Sequence, residues 1–112
     1  MPDCLFCRIV RREIPAQLVF EDAEAVAFRD IAPQAPAHVL IVPKKHLASL
    51  AHAGEEDAAL LGHLQQLSAR VAGLLGLKSF RLVANSGREA GQSVDHLHYH
   101  LLGGRAMKWP PG

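Results

Sequence analysis

The chain has 112 residues, 49% of them hydrophobic and 21% charged, a composition typical of a single folded globular domain. Its 12 basic residues (Lys and Arg) nearly balance 11 acidic residues, which argues against nucleic acid as a partner, because such binding requires a concentrated basic surface. No apolar run approaches the roughly 20 residues of a membrane span, and the opening residues do not resemble a secretory signal. We therefore expect one cytoplasmic domain over residues 1–112 with no membrane partner.

Seven segments with regular patterning are predicted along the chain. They are an opening helix at 5–12, strands at 17–22, 25–30 and 38–43, a long helix at 55–75, and strands at 80–85 and 96–102. The first two strands are expected to form a hairpin, and Pro43 closes the third. Strands on both sides of one long helix predict an α+β fold, in which a mostly antiparallel five-stranded sheet is covered on one face.

The long helix is predicted from apolar residues that recur at alternating spacings of four and three, which places them in one stripe. The stripe consists of Leu60, Leu64, Leu67, Val71 and Leu74. Acidic residues from Glu55 to Asp57 suit the positive end of the helix dipole, and Gly76 suits the C-terminal end.

Three of the seven histidines, His96, His98 and His100, occupy every second position in the last predicted strand. Alternate side chains of a strand share a face, so the three rings are expected on one face and Leu97, Tyr99 and Leu101 on the other, toward the helix. One alternative to a functional role is that the three histidines are ordinary polar residues on a solvated face of the sheet. A metal site built from the row alone is another, but His96 and His100 would lie roughly 13 Å apart in an extended strand. The row favours an extended ligand.

A histidine pKa near 6.5 allows one ring to act as a nucleophile while another carries a proton and binds an anion. This division of roles suits nucleotidyl transfer through a covalent histidine intermediate. The preceding segment NSGREAGQSV supplies Gly87 and Gly91, which permit unusual backbone angles, and the hydroxyl of Ser93. Together with the histidine row, this segment predicts a phosphate site.

Several separated stretches of the chain resemble a known family: REIPA, FRDIAPQAPAHVLIVPKKH, GQSVDHLHYHLLGGR and the closing WPPG. HLHYHLL is similar to the histidine-triad signature, and the whole set resembles the histidine triad nucleotide-binding (Hint) branch of the HIT family. The resemblance implies a HIT-like fold and a homodimer with a ten-stranded sheet. It also implies binding of purine mononucleotides of the AMP or GMP class, and hydrolysis of nucleoside 5′-phosphoramidates and aminoacyl-adenylates without a required catalytic cofactor.

The resemblance also implies roles for individual residues. His98 matches the nucleophile, and His100 and Ser93 match the groups that hold phosphate oxygens with the help of the Gln92 and Ser93 backbone. Gly91 belongs to the same nucleotide site, and His38 and His96 match supporting members that orient the nucleophile. Asn85 matches an asparagine near the phosphate, and Asp30 matches the acid that binds the ribose hydroxyls. The apolar purine slot is matched by Leu5, Phe6, Ile9, Phe28 and Ile31. Trp109 matches a tail tryptophan that reaches the partner subunit from residues 105–112. Each residue of the slot has an alternative role as ordinary core.

Cys4 and Cys7 depart from the best-known Hint pattern. Some bacterial relatives are similar in combining this pair with the histidine of a PKxH segment, here His46, and the first triad histidine, His96. The resemblance implies that these four residues hold a structural zinc ion, with two free thiols as the alternative. A C-x-x-C pair alone is two ligands short of such a site.

Three other functions remain open at this point. One is dinucleoside polyphosphate hydrolysis, a second is a nucleotide-binding interaction module with vestigial catalysis, and a third is a metal-dependent enzyme that uses the triad as ligands. The two remaining histidines, His52 and His63, are expected on the solvated surface.

Overall fold

The computed structural model describes residues 4–112, so the first three residues of the predicted domain lie outside this range. The elements in chain order are α1 (Leu5–Val10), β1 (Leu18–Glu21), β2 (Ala25–Arg29), β3 (Ala37–Pro43), α2 (Ala58–Leu74), β4 (Phe80–Ala84) and β5 (Tyr99–Gly103). The strands form one five-stranded antiparallel sheet in the order β1-β2-β3-β5-β4, which confirms the predicted α+β class. Within residues 4–112, no helix is long and apolar enough to cross a membrane.

The β1–β2 hairpin is closed by Asp22. Its side chain accepts hydrogen bonds from the N–H groups of Glu24 and Ala25, both at 2.8 Å. An Asp side chain that satisfies the backbone in this way stabilises a tight turn, because it replaces a missing backbone partner. The predicted hairpin is confirmed.

The two faces of the sheet carry different helices and separate apolar cores. On one face α2 packs through Leu64, Leu67 and Val71, and the larger core there also contains Leu97, Tyr99 and Leu101, as the alternating pattern predicts. The opposite face carries α1 and a smaller core that consists of Phe6, Val26, Phe28, Leu40 and Val42. The sheet is therefore covered on one face by α2 and partly covered on the other by α1.

The start of α2 and the end of α1 differ from the prediction. The α2 helix follows a 3₁₀ turn at Glu55–Asp57, and Leu74 is 62% exposed, so the buried stripe ends at Val71. The α1 helix ends before Arg12, whose backbone φ of 61° cannot continue a right-handed helix. Gly76, with a φ of 72°, terminates α2 as predicted.

Strand β5 begins at Tyr99, so the predicted strand over 96–102 is wrong for its first three residues. The observed register pairs Ile41 with Tyr99, and continuing it would place Pro43, which has no N–H to donate, opposite Leu97. The N–H of Leu97 instead donates to the carbonyl of Leu47 at 2.6 Å. His96 and His98 therefore lie in an irregular segment, and only His100 lies on the strand.

Candidate active site and metal-ligand cluster

A cleft of about 340 Å³ lies on the α1 face of the sheet. His98, His100 and Ser93 line it, together with the six residues predicted to contact the base and ribose: Leu5, Phe6, Ile9, Phe28, Asp30 and Ile31. Phe6 and Phe28 are buried and meet edge to face at 5.6 Å, whereas Ile31 is fully exposed. One wall of the cleft is therefore apolar, and the other carries the imidazoles and a hydroxyl.

Four residues predicted to bind nucleotide do not line this cleft: Asn85, Gly91, Gln92 and Trp109. The side-chain amide of Asn85 lies beside Gly91, 3.7 Å from the position that a Cβ atom would occupy there. Trp109 is 82% exposed, and Arg81 anchors the tail next to it by donating to the carbonyl of Lys108 at 2.9 Å.

The position of the proton on the His98 ring follows from its hydrogen bond. His98 Nδ1 lies 2.7 Å from the carbonyl oxygen of His96, and because that oxygen can only accept, Nδ1 must carry the proton. In a neutral ring the lone pair then resides on Nε2, which has no hydrogen-bond partner within residues 4–112. In its neutral form, His98 therefore offers an Nε2 lone pair that has no partner among the described residues.

A second chain of hydrogen bonds determines the state of His100. The backbone N–H of Gln34 donates to His38 Nδ1 at 3.0 Å, which leaves the proton of the neutral His38 ring on Nε2. His38 Nε2 lies 2.9 Å from His100 Nδ1 and donates to it, with Asp30 Oδ2 at 3.4 Å from the same Nε2. His100 therefore keeps its own proton on Nε2, where it can donate to a ligand.

Burial keeps the two hydrogen-bonded histidines, His38 and His100, neutral at neutral pH. It lowers the pKa of His100 to about 4, with added repulsion from His98 and His38, and it lowers the pKa of His38 against the opposing influence of Asp30. The low pKa of His100 disfavours a second proton on this ring at neutral pH. A phosphate oxygen would meet a neutral N–H donor instead.

The low pKa of His100 predicts acid sensitivity of the fold. Between about pH 6.5 and pH 4 the unfolded chain binds a proton that the folded ring does not, so the free energy of unfolding decreases as the pH falls through this window. We expect His100→Asn to remove about 1 kcal/mol of this loss, a small value because the ring is partly exposed. Urea unfolding at pH 7 and pH 5 measures it, with His52→Asn as the control. Equal acid losses in wild type and His100→Asn would contradict the prediction.

The segment NSGREAGQSV (85–94), which the sequence predicts to form a phosphate site, is fixed by a residue whose structural role the sequence did not indicate. The side-chain oxygen of Gln92 accepts from the N–H of Gly87 at 2.8 Å, and its amide donates to the carbonyls of Ala48 and Val94 at 2.7 and 3.0 Å. Gly87 and Gly91 have φ values of 98° and 100°, which confirms the predicted unusual backbone. Gln92 was predicted only to help hold phosphate, and no periodicity could have revealed its contacts with other segments.

Gln92→Ala is expected to lower the free energy of unfolding by about 2 kcal/mol, because three backbone groups lose their partner and Gln92 is buried. Chemical denaturation measures this loss. Gln66→Ala, at an exposed position of α2, is the matched control and should change stability by less than about 0.5 kcal/mol. A loss no larger than that of the control would show that the loop does not depend on this side chain.

Four potential metal ligands from three segments converge beside the cleft: Cys4, Cys7, His46 and His96. Cys7 Sγ lies 3.3 Å from His46 Nδ1 and 3.5 Å from His96 Nδ1, and the two Nδ1 atoms are 3.1 Å apart. The Cys4 Sγ atom lies 3.2 Å from His96 Nδ1, and all four ligand atoms lie within 4.8 Å of one another. A tetrahedral zinc ion with its usual bond lengths requires separations of about 3.3–3.8 Å, so the four atoms could hold such an ion after shifts of up to about 1 Å.

The surroundings of this cluster also suit a metal. His96 Nε2 lies 2.8 Å from the carbonyl of Pro43 and donates to it, which leaves Nδ1 free as the ligand atom. Burial lowers the pKa of His96 to about 4 and also lowers the pKa of His46, so both rings are neutral and able to bind a metal at neutral pH. Burial raises the pKa of the Cys7 thiol, so a bound cation would favour the thiolate that burial disfavours.

The other two histidines make local contacts. His52 is exposed, and its Nδ1 lies 2.6 Å from the hydroxyl of Ser49. His63 is half-buried and lies 2.7 Å from Asp22 Oδ2, which joins α2 to the β1–β2 hairpin. The prediction of a simple solvated surface is therefore wrong for His63.

Comparison with known proteins decides the family. The sequence model of the HIT domain family matches residues 11–107 of this chain. The chain belongs to the HIT domain family. This HIT protein is 56% identical over 111 residues to an uncharacterized HIT-like protein of Synechocystis sp., a match that covers 98% of this chain and 97% of the relative.

Solved structures of HIT proteins share the fold. A HIT family hydrolase from Legionella pneumophila superposes with a TM-score of 0.96 at 50% identity, over 98% of this chain and 100% of that chain. A zinc-bound histidine triad family protein from Mycobacterium smegmatis superposes with a TM-score of 0.79 at 32% identity, over 93% of this chain and 76% of that one. The family thus includes a protein described as a hydrolase and a protein that contains zinc.

Proposed function

We propose that this HIT protein is a hydrolase of the Hint type that binds purine nucleotides and cleaves nucleoside 5′-phosphoramidates at the P–N bond, and also aminoacyl-adenylates. The observation that carries the proposal is the hydrogen bond between His98 Nδ1 and the carbonyl of His96 at 2.7 Å. That bond leaves the Nε2 lone pair available in a cleft that also contains a hydroxyl and an N–H donor for phosphate.

In the first step His98 Nε2 attacks phosphorus, the P–N bond breaks, and the leaving amine departs with the bonding electrons and a proton. This proton is donated by a general acid, for which a histidine, the substrate itself and water are the candidates. The attack leaves a positive charge on the ring, and the Nδ1–H bond to the carbonyl of His96 becomes a stronger, charge-assisted hydrogen bond. In the second step water attacks phosphorus and loses a proton to solvent, the electrons of the P–Nε2 bond return to Nε2, and the mononucleotide is released.

The phosphate oxygens are held by Ser93, His100 and the backbone of the loop around Gly91 and Gln92, and Asn85 lies next to this loop. His100 donates from Nε2 because His38 already occupies its Nδ1 at 2.9 Å. Preorganised donors of this kind stabilise the charge that develops at phosphorus. His38 and His96 act through their neighbours, and neither needs to touch the substrate.

The purine, of the AMP or GMP class, lies in the apolar slot of the cleft, and Asp30 accepts hydrogen bonds from the ribose. Asp30 is also close to His38, with Oδ2 3.4 Å from Nε2, so the ribose contact and the phosphate contact share one hydrogen-bonded network. The exposed Trp109 belongs to a tail, residues 105–112, that reaches the site of the partner in a homodimer with a ten-stranded sheet.

The Cys4, Cys7, His46 and His96 cluster binds a structural zinc ion. Four protein ligands leave no open position, so a bound zinc would stabilise the fold and would not activate water. The proposal is supported by the fit of the four ligand atoms, all within 4.8 Å of one another, and by the zinc-bound relative from Mycobacterium smegmatis.

Comparison of three substrates tests the function. The protein is incubated with adenosine 5′-phosphoramidate, a lysyl-adenylate analogue and a dinucleoside polyphosphate, and kcat/KM is measured for each. We expect the first two to exceed the third by at least about 100-fold. A polyphosphate preference would reassign the substrate class. Absence of all turnover in a folded protein that binds AMP would indicate a nucleotide-binding module without catalysis.

A further inference from the structure

We infer that the cysteine–histidine cluster and the nucleotide cleft are coupled: metal in the cluster raises the affinity of the cleft for a purine mononucleotide, and the nucleotide raises the affinity of the cluster for the metal. This inference rests on the proposed function, because it requires both ligands. The coupling is carried by Phe6 and by the main chain of His96.

Phe6 is the first link, because it lies between the two cysteines and lines the cleft. Its ring meets the ring of His98 edge to face, with centroids 5.0 Å apart and an interplanar angle of 89°. The same ring contacts Phe28 at 5.6 Å and His96 at 6.0 Å. Any movement of α1 therefore moves the apolar wall of the cleft and the surface against which the nucleophile rests.

Helix α1 depends on its surroundings for its position. It has only six residues, and a helix of that length is not stable alone in water. Cys4 caps its N-terminus by accepting a hydrogen bond from the N–H of Cys7 at 3.4 Å, so the residue that starts the helix is itself a potential ligand. A metal held by both cysteines and by two histidines outside the helix would fix α1 to the sheet.

His96 is the second link. Its ring belongs to the cluster, its Nε2 is bonded to the carbonyl of Pro43 at 2.8 Å, and its own carbonyl accepts the hydrogen bond from His98 Nδ1 at 2.7 Å. A metal bound at His96 Nδ1 would restrict the rotation of this residue. The carbonyl of His96, which orients His98, would then belong to a residue fixed at both ring nitrogens, by the metal at Nδ1 and by the carbonyl of Pro43 at Nε2.

These two links predict a reciprocal effect of measurable size. Two ligands that each order the same segment bind cooperatively, and the factor by which one raises the affinity of the other must be equal in both directions. A typical coupling between neighbouring sites corresponds to about tenfold. Cys4 and His46 also border a second hollow of about 720 Å³, through which a chelator can approach the cluster.

The experiment measures AMP binding by titration calorimetry on zinc-loaded and chelator-stripped protein, for wild type and for Phe6→Leu. Leu keeps the position apolar but removes the aromatic edge against His98. We expect AMP to bind about tenfold tighter to loaded than to stripped wild type. In Phe6→Leu, which should still bind one zinc per chain, the ratio should fall below about threefold. Wild-type ratios near one, with zinc and AMP both bound, would overturn the coupling and leave the proposed function intact.

A reciprocal measurement covers the case in which the stripped protein unfolds, which circular dichroism would reveal. Zinc affinity is determined by competition with a coloured chelator, with and without saturating AMP. We expect an increase of about tenfold in wild type and a smaller one in Phe6→Leu. An equal increase in both proteins would mean that folding of the whole chain, and not Phe6, links the sites, and would overturn the inference. Failure of AMP to bind at all, or of zinc to bind at all, would contradict the proposed function and the coupling together.

Discussion

Replacement of His98 by Ala is expected to lower kcat/KM for adenosine 5′-phosphoramidate by at least about 10⁴-fold, because in the proposed mechanism the covalent intermediate forms on His98 Nε2. AMP should still bind within about tenfold of the wild-type affinity. The apolar slot, Asp30, Ser93 and His100 all remain in the variant. Steady-state kinetics and calorimetry measure the two effects separately.

The control for this variant is His52→Ala, which removes an exposed imidazole outside the cleft and should leave kcat/KM within about twofold of wild type. Turnover by His98→Ala within tenfold of wild type would contradict the assignment of the nucleophile. Loss of AMP binding together with turnover would indicate that the alanine had disturbed the packing of Phe6, which lies 5.0 Å from the His98 ring.

Cys7→Ser is expected to lower the free energy of unfolding of the zinc-loaded protein by at least about 3 kcal/mol. The substitution removes one of the four proposed ligands, and the free energy of metal binding contributes directly to the stability of the folded state. Urea denaturation in the presence of excess zinc, with metal content determined on the same samples, measures the loss.

The same pair of proteins in a strong chelator provides the control. Without metal the difference between a buried thiol and a hydroxyl should shrink to about 1 kcal/mol, because only a side chain of similar size has changed. A difference that is equal with zinc and with chelator would show that Cys7 contributes through packing alone. Wild-type protein that contains no zinc after expression in zinc-supplemented medium would also contradict the prediction.

The elements that the sequence predicts well are those whose patterns are local. The stripe from Leu60 to Val71 and the alternation of Leu97, Tyr99 and Leu101 each reflect the side on which a single element is buried, and both packing faces are confirmed. The start of β5 was predicted wrongly because it depends on distant residues. Pro43 cannot donate to the ladder, and the carbonyl of Leu47 takes the N–H of Leu97.

The candidate site shows the same division. Spacing alone treated His96, His98 and His100 as equivalent members of one row. The structure gives them three environments. His96 lies in the cysteine–histidine cluster, His98 is oriented by the hydrogen bond that its Nδ1–H donates to the carbonyl of His96, and His100 is hydrogen-bonded to His38. The backbone of Gln34, which determines where the protons of His38 and His100 lie, comes from a loop with no pattern of its own. Contacts of that kind depend on how separate segments meet, and periodicity carries no information about them.

Rapid-quench mass spectrometry tests the central claim most directly. The protein is mixed with excess adenosine 5′-phosphoramidate and stopped with alkali within milliseconds, because a P–N bond to histidine is labile in acid. The peptide that contains His98 is then sequenced by fragmentation. We predict an adenylyl group on His98 that forms faster than steady-state turnover and disappears when substrate is exhausted. Turnover with no adduct, or with the adduct on His96 or His100, would contradict the account.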